Sequence, residues 1–580
     1  MKYTKNRFIL ILSVFAFVLT LYPFVLSFYM SGTSACFSYF AADAFYYLTV
    51  ARNTSWLPVF SFDSICPTNG FHPLWQVYLK IIFSLFSLAD DQTTQLLVAY
   101  FTSSVLVSIS AALLVIVVYR LTRCSAIALT SVVPGFYYFI VAPTTQTLGT
   151  LWSFGNGMES PFSLLFFACL IFIMVKARFY STCSRRLDVL VAIFVTLVVF
   201  SRLDDVFLIP ALCLPLYWSR MSALFKFKKI CTVIGIPTIC VIFYCVFNFC
   251  YAGTMLPVSG LIKGHGGMLH NVLTTINILF PIKQVINSNW GQWQALTWRV
   301  LQNFIPASLA VGYIGLIIFK RKAQEALDGH VQFLMAASIF VVLKAMYNFV
   351  FVNYWHQGHW YYPLSICVAN IILAVVISKT FVVNGIGRLP RLLKSKNRDS
   401  FTLILRCSPL FVAAFVGFYV ANATMAEKAI SASNQDFYKI WADREKIKAG
   451  VMQAYNGTGV IDYDDGIIAF LLGMPAMSGL GFALDLEAMR AKQSGSFLEL
   501  AYRRGFSVLS TMQYMPAFSA AIGDDVSDQL KNVFWLYGED LDRWSFKLVY
   551  QHADTACKFI AFEPVDITNR SLNINENPFH

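Results

Sequence analysis

Residues 8–30 read FILILSVFAFVLTLYPFVLSFYM, 23 residues without a charge, directly after Lys2, Lys5 and Arg7. As a helix rising about 1.5 Å per residue, this run exceeds the roughly 30 Å hydrocarbon core of a bilayer. It also exceeds the apolar region of a secretory signal, about 7–15 residues, so it reads as a retained span. Comparable runs follow near 95–119, 125–142, 160–176, 187–200, 206–218, 230–250, 301–319, 331–352, 360–378 and 401–421, those at 125–142, 187–200 and 206–218 being short or broken. The whole chain of 580 residues is 57% hydrophobic and 13% charged, against roughly 25% charged in soluble domains. A disordered chain, a secreted disulfide scaffold and a cytosolic enzyme are all excluded. The expected fold is a polytopic α-helical membrane protein with about 11 transmembrane helices.

Charge divides the chain and orients it. Residues 1–421 hold 30 Lys/Arg against 11 Asp/Glu, and residues 422–580 hold 14 against 20. The step marks a boundary between a transmembrane domain, 1–421, and a tail domain, 422–580. If the spans alternate from a cytoplasmic amino terminus, one side collects 22 basic residues. They include Arg120, Arg123, Lys176, Arg178, Arg185, Arg186, Lys226, Lys228 and Lys229, as the positive-inside rule requires. The parity holds only if Pro73–Leu88, which carries Gln76 and Lys80, lies on the membrane surface rather than crossing it. The first outer loop is then 31–94, and the tail is extracytoplasmic.

The tail alternates short β-rich strings with helical ones. Strands are predicted at Gly459–Asp464, Phe506–Ser510, Lys547–Gln551 and Lys558–Glu563, and helices at Ile467–Leu472 and Ala488–Arg504, giving a small α/β domain. Gly457-Thr458-Gly459 lacks the full dinucleotide fingerprint. Thirteen cysteines are scattered mostly through spans; Cys36 and Cys66 share the first outer loop and can pair in an oxidising compartment. No Cys/His spacing resembles a zinc site.

Scarce charges in a membrane protein mark function, and here they gather on the outer side. The first loop contains Asp43-Ala44-Phe45-Tyr46-Tyr47-Leu48-Thr49-Val50-Ala51-Arg52-Asn53 and then Thr68-Asn69-Gly70-Phe71-His72-Pro73-Leu74-Trp75. Asp43, Tyr46, Tyr47 and Val50 share one helical face. Asp43 reads either as an N-cap or as a general base. Further along stand Gly157-Met158-Glu159-Ser160, Ser201-Arg202-Leu203-Asp204-Asp205, Pro257-Val258-Ser259-Gly260-Leu261-Ile262-Lys263 and Asn353-Tyr354-Trp355-His356-Gln357-Gly358-His359. Glu159 reads as a helix cap, Arg202 with Asp204 as an ion pair or a binding element, Lys263 as a loop lysine or a phosphate ligand. His356 and His359 with their aromatics read as a sugar-stacking rim or a membrane-edge belt. Asp63 is a possible second acid in a turn-like setting.

Together these elements resemble the polyprenyl-phosphate-dependent glycosyltransferases of the GT-C superfamily, over roughly the whole chain. The closest resemblance is to the bacterial branch near the protein mannosyltransferases and the aminoarabinose and arabinofuranosyl transferases. The resemblance implies a GT-C fold and an inverting transfer of a sugar from a polyprenyl-phosphate donor to an extracytoplasmic hydroxyl of a glycan, glycolipid or protein. Aligned through Ala51-Arg52, Asp43 falls on the catalytic Asp. The Glu that often follows is Ala44 here, the Arg three positions after the Asp is Tyr46, and the Lys-Pro of the second element is His72-Pro73. Substrate contacts are expected from Tyr46, Tyr47, Arg52, Asn69, His72, Arg202, Asp204, Lys263, His356 and His359. Lys263 is the first choice for the donor phosphate. No cofactor is required; a divalent metal would have only Asp43, Asp63 and the histidines as ligands. The implied setting is a bacterial inner or plasma membrane and the synthesis of cell-envelope glycan, with no nucleic-acid partner. The rival from another class is a transporter or lipid-linked-sugar flippase, which would show inverted repeats and ionisable residues near the midplane. A catalytically silent relative is the third reading.

Overall fold

The computed structural model describes residues 2–53, 60–132, 154–219, 221–263, 267–279, 290–320, 327–353, 357–379, 435–454, 459–463, 466–481, 483–511, 520–530, 536, 539–553 and 557–565. Among the described residues, five helices are long and apolar enough to cross a membrane: Arg7–Ser31, Gln92–Thr122, Ala223–Ala252, Val300–Phe319 and Gly329–Phe351. Shorter apolar helices run Ser160–Lys176 and Pro363–Ile377, and Arg185–Ser201 forms another helix beside them. The expected run at 206–218 is not one helix. Pro210 and Pro215 divide it into a helix Leu208–Cys213 and a 3₁₀ turn Leu214–Trp218, irregularity that is tolerated where protein surrounds the backbone. Residues 133–142 and 401–421, expected in spans, lie outside the described residues.

The helices pack in sequence order, Lys2–Ser31 on Gln92–Thr122, that on Ser160–Lys176, then Arg185–Ser201, then Ala223–Ala252. Their ends sort into two sets. At one end Arg202 bonds to Glu159 and to the Trp360 carbonyl, and Asn69 to Thr254. At the other, Ser378 donates to the Thr122 carbonyl at 2.9 Å and Lys229 pairs with Asp188 while donating to the Phe179 and Thr182 carbonyls. The helix termini nearest the second end carry Arg120, Arg123, Lys176, Arg178, Arg185 and Arg186. Ala223–Ala252 leaves Phe225, Phe227, Ile239, Ile242, Phe243, Val246, Phe247 and Phe249 exposed. In water each such side chain would forgo roughly 1.5–3 kcal/mol of burial; against lipid chains it loses nothing.

Pro73–Leu85 is a helix of 13 residues, about 20 Å long and too short to span. It buries Trp75, Gln76, Leu79 and Phe83 and exposes Val77, Ile81 and Leu85. The sequence reading carried it three residues too far: the chain leaves the helix at Phe86, and Ser87 has φ of 52°.

The tail is built on a five-stranded mixed sheet, order β2-β1-β3-β5-β4, from β1 Gly459–Asp462, β2 Ala476–Ser478, β3 Phe506–Thr511, β4 Trp544–Gln551 and β5 Lys558–Pro564. β1 runs parallel to β2 and β3, whereas β5 is antiparallel to β3 and β4. Strand alternation gives it two apolar faces. Val460, Val508, Phe559 and Ala561 join the core of helix Ile467–Leu472; Ile461, Leu509, Ile560 and Phe562 join that of helices Leu486–Ser494 and Phe497–Arg503. The single helix expected over Ala488–Arg504 is two, because Gly495 at φ of 71° ends the first. β2, only three residues long, gave no sequence signal.

The first of those cores also contains the first outer loop. Phe45 packs on Phe470 with ring centroids 5.5 Å apart, and Phe37 on Trp441 at 5.6 Å. A Cβ on Gly466 would lie 2.9 Å from the Tyr46 backbone nitrogen, so only glycine lets the two segments meet this closely. The tail is therefore fused to the loop rather than merely standing above it. Cys36 and Cys66 are both free thiols; Cys36 is buried in this shared core.

Candidate functional site

Asp43 begins the helix Ala44–Arg52, and the cap reading fails there. Its backbone is already helical, φ −56° and ψ −21°, and its carboxylate accepts no capping hydrogen bond, whereas a capping residue needs extended dihedrals to reach the N2 or N3 amide. The Ala41 amide donates to the Asn156 carbonyl at 3.0 Å, and Trp75 Nε1 donates to the Gly157 carbonyl at 3.0 Å, so three loop segments are tied together beneath it. Gly157 has φ of 76°, and a Cβ there would strike the Phe40 ring at 2.8 Å.

Asp43, Tyr46, Tyr47 and Val50, the face read from helical spacing, all line one small cleft of about 40 Å³. Opposite stand His72, Gln76, Glu159, Arg202, Ser259, Lys263, Trp360 and Tyr361, and the tail contributes Ala483. Lys263 ends the short helix Val258–Lys263, whose start is held by Asn69: its Oδ1 accepts from the Val258 amide at 3.0 Å. That helix rests on the tail core through Val258, Leu261 and Ile262.

The charges are not interchangeable. Burial raises the Asp43 carboxyl above the usual carboxylate range; Lys263 opposes that and Glu159 adds to it. Burial would lower the Lys263 ammonium, but Tyr361 and Asp43 outweigh it and hold it at about 12. Asp43 and Lys263 are thus electrostatic partners across the cleft, a carboxylate of raised basicity and a firmly charged cation.

Arg202 is committed elsewhere. Its guanidinium donates to Asp204 at 2.9 and 3.2 Å, to Glu159 at 2.9 Å and to the Trp360 carbonyl at 2.7 Å, with the Tyr361 ring 4.6 Å away. Lys344, inside the spanning helix Gly329–Phe351, reaches Asp204 at 3.4 Å and bonds to Asp205. Asp205 also accepts from Ser163 at 2.9 Å. Arg202 and Asp204 therefore form the ion pair that their spacing suggests, and Arg202 also lines the cleft.

His72 is neutral. The Leu203 amide donates to its Nδ1 at 3.2 Å, leaving the ring proton on Nε2, and burial pushes its pKa down to about 4 against the opposing pull of Glu159. As a candidate contact of the phosphate it offers a neutral N–H rather than a charge.

Two expected substrate contacts lie elsewhere. Arg52 is not among the cleft's lining residues; it donates to the Phe470 and Ala469 carbonyls at 3.1 and 3.3 Å, satisfying the last turn of Ile467–Leu472. Asn69 is buried and binds Thr254, Leu256 and Val258, so it places the Lys263 helix without touching the cleft. His356 and the side chain of His359 lie outside the described residues. Asp63 is spent in a turn, its Oδ1 accepting from Ser61, Ile65 and Cys66. Metal-type donors that converge among the described residues are Asp63, Cys66 and Asp485, not a set around Asp43. Arg504, 2.6 Å from Asp485, already answers their charge.

Reading the sequence for site residues missed Glu159, taken for a cap. It makes no capping bond; fully buried, it accepts from Tyr47 at 2.9 Å as well as from Arg202. Its signal was the Gly157-Met158-Glu159 motif. Lys344 and Asp205 were also missed, although a lysine within an apolar helix is itself a signal. No known family model matches the chain, and no curated protein matches it in sequence.

Proposed function

We propose that this protein is an integral-membrane inverting glycosyltransferase that moves a sugar from a polyprenyl-phosphate donor to an extracytoplasmic hydroxyl. The observation that carries the reading is the pairing of Asp43 with Lys263 across an open cleft, at the end of the helical bundle away from the basic clusters. A carboxylate not used as a cap is available as a base, and burial raises its basicity. An acceptor O–H attacks the anomeric carbon from the face opposite the phosphate. Its proton passes to the Asp43 carboxylate, a new C–O bond forms, and the bond from C1 to the phosphate oxygen breaks with its electron pair leaving on the phosphate. Lys263 stabilises that departing charge. One displacement inverts the anomeric centre.

The proposed setting has eleven spans, the amino terminus in the cytoplasm of a bacterial cell and the tail outside. The basic residues at the far helix ends support this orientation. Lipid-facing Ala223–Ala252 stands beside the cleft end, where a polyprenyl chain would lie in the bilayer.

The test is reconstitution of the purified protein with radiolabelled polyprenyl-phosphate sugars and an extract of acceptors from cells lacking the gene. Expected is transfer by wild type and none by Asp43→Asn. Movement of labelled lipid across the vesicle without transfer would replace this reading with the flippase one.

A further inference from the structure

The cleft contains a hydrogen-bond donor and an acceptor that face each other without bonding. Nδ1 of His72 accepts from the Leu203 amide at 3.2 Å, so the backbone fixes the tautomer and the hydrogen sits on Nε2. Nε2 stands 3.7 Å from Glu159 Oε1, beyond hydrogen-bond reach. Glu159 is fully buried, and each of its oxygens takes one hydrogen bond, Oε1 from Arg202 and Oε2 from Tyr47, both at 2.9 Å. Each oxygen keeps a further lone pair. Both residues line the cleft that Asp43 and Lys263 share, and the His72 side chain is 24% exposed.

An N–H and a carboxylate oxygen at this separation are bridged by one oxygen atom about 2.8 Å from each. That atom must accept from Nε2–H and donate to Oε1. A hydroxyl does both. A protonated amine does not, because it would set N–H against N–H. A phosphate oxygen does not, because it has no proton to give and would meet the Glu159 charge. Arg202 holds Glu159 in place at 2.9 Å, and the Leu203 amide prevents His72 from reversing its tautomer.

We propose that His72 and Glu159 form a subsite for one neutral hydroxyl of the donor sugar. The proposal rests on the glycosyltransferase reading and deepens it: the donor carries a free hydroxyl at this position, and an amino group there is rejected. Lys263 then handles the phosphate without help from His72.

Full-length protein in nanodiscs tests this by native mass spectrometry, with short-chain polyprenyl phosphate alone, its hexose and pentose esters, and their single-deoxy and amino analogues. Wild type is compared with His72→Phe, which has no donor, and His72→Gln, which keeps a neutral N–H. Expected is one hydroxyl whose removal, or replacement by an amine, weakens wild-type binding about tenfold. The same change has no further effect in His72→Phe, His72→Gln binds within about threefold of wild type, and binding of the unglycosylated lipid phosphate is the same in all three. Equal losses for the sugar-free lipid in His72→Phe would assign His72 to the phosphate and overturn the proposal. So would full additivity of the deoxy change and His72→Phe, or wild-type protein that binds no member of the panel. Binding with the expected pattern but no transfer would leave the subsite standing and remove the transferase reading.

Discussion

The Tyr47 hydroxyl donates to Glu159 Oε2 at 2.9 Å, and through that bond the helix carrying Asp43 is locked to the residue that grips Arg202. The proposed base is thus mounted on a rigid support, which makes its own substitution interpretable. Asp43 makes no capping bond, so Asp43→Asn is expected to leave the protein folded, with a thermal melt close to that of wild type. Transfer is expected to fall at least about 10²-fold, the usual contribution of a general base. Single-turnover rates and a thermal melt on the same preparation check both; near-normal turnover would remove Asp43 from the mechanism.

Lys263→Gln is expected to raise the donor KM about ten- to a hundredfold, the scale of a charged hydrogen bond of roughly 1.5–3 kcal/mol. It also has a pH signature. Asp43 works as the carboxylate, so activity falls as pH drops through its raised pKa; Lys263 lowers that pKa, and without it the pKa rises. The acid limb of kcat/KM must therefore move to higher pH in Lys263→Gln. An unmoved limb would show that the two groups are not coupled.

Lys344→Met leaves Asp204 and Asp205 buried beside each other with one cation fewer. Removing one partner of a buried ion pair costs about 3–5 kcal/mol, so the variant is expected to express poorly or melt far below wild type. Lys344→Met with Asp205→Asn removes the stranded charge and is expected to recover much of that loss. A double variant as unstable as the single one would rule out the charge explanation.

The orientation is open to cysteine labelling. Ser395→Cys in a chain cleared of other exposed cysteines is expected to resist an impermeant thiol reagent in intact cells, and Arg570→Cys to react with it. The reverse pattern would invert the proposed topology.

Local pattern carried most of the architecture. Long apolar runs announced the long helices, and short β-rich strings announced the strands around Ile461 and Leu509. The spacing of Asp43, Tyr46, Tyr47 and Val50 put them on one face, and that face lines the cleft. What spacing cannot convey is which distant groups a side chain will meet. Arg52, two turns beyond Asp43, looks like a substrate ligand until residues 469 and 470 supply carbonyls for it. Glu159 looks like a cap until Tyr47 and Arg202 arrive from 112 and 43 residues away. His72 looks like a phosphate ligand of either charge until the Leu203 amide takes up its Nδ1. Each misreading came from a partner far off in sequence, and long-range pairing is what a single strand of letters leaves unstated.

The fusion of tail and first loop also orders events in time. The loop emerges among the first residues made, yet its core is closed by Trp441, Phe470 and Phe559, which the ribosome reaches roughly four hundred residues later, about 20–80 s at ordinary elongation rates. Until those residues have been made, Gly466 cannot seat against Tyr46 and the cleft lacks a wall. A half-made chain in the membrane therefore holds its lipid-facing helices without a finished reaction chamber. Under the proposed function, activity would arrive only with the last domain, and a truncated product would be inert rather than promiscuous.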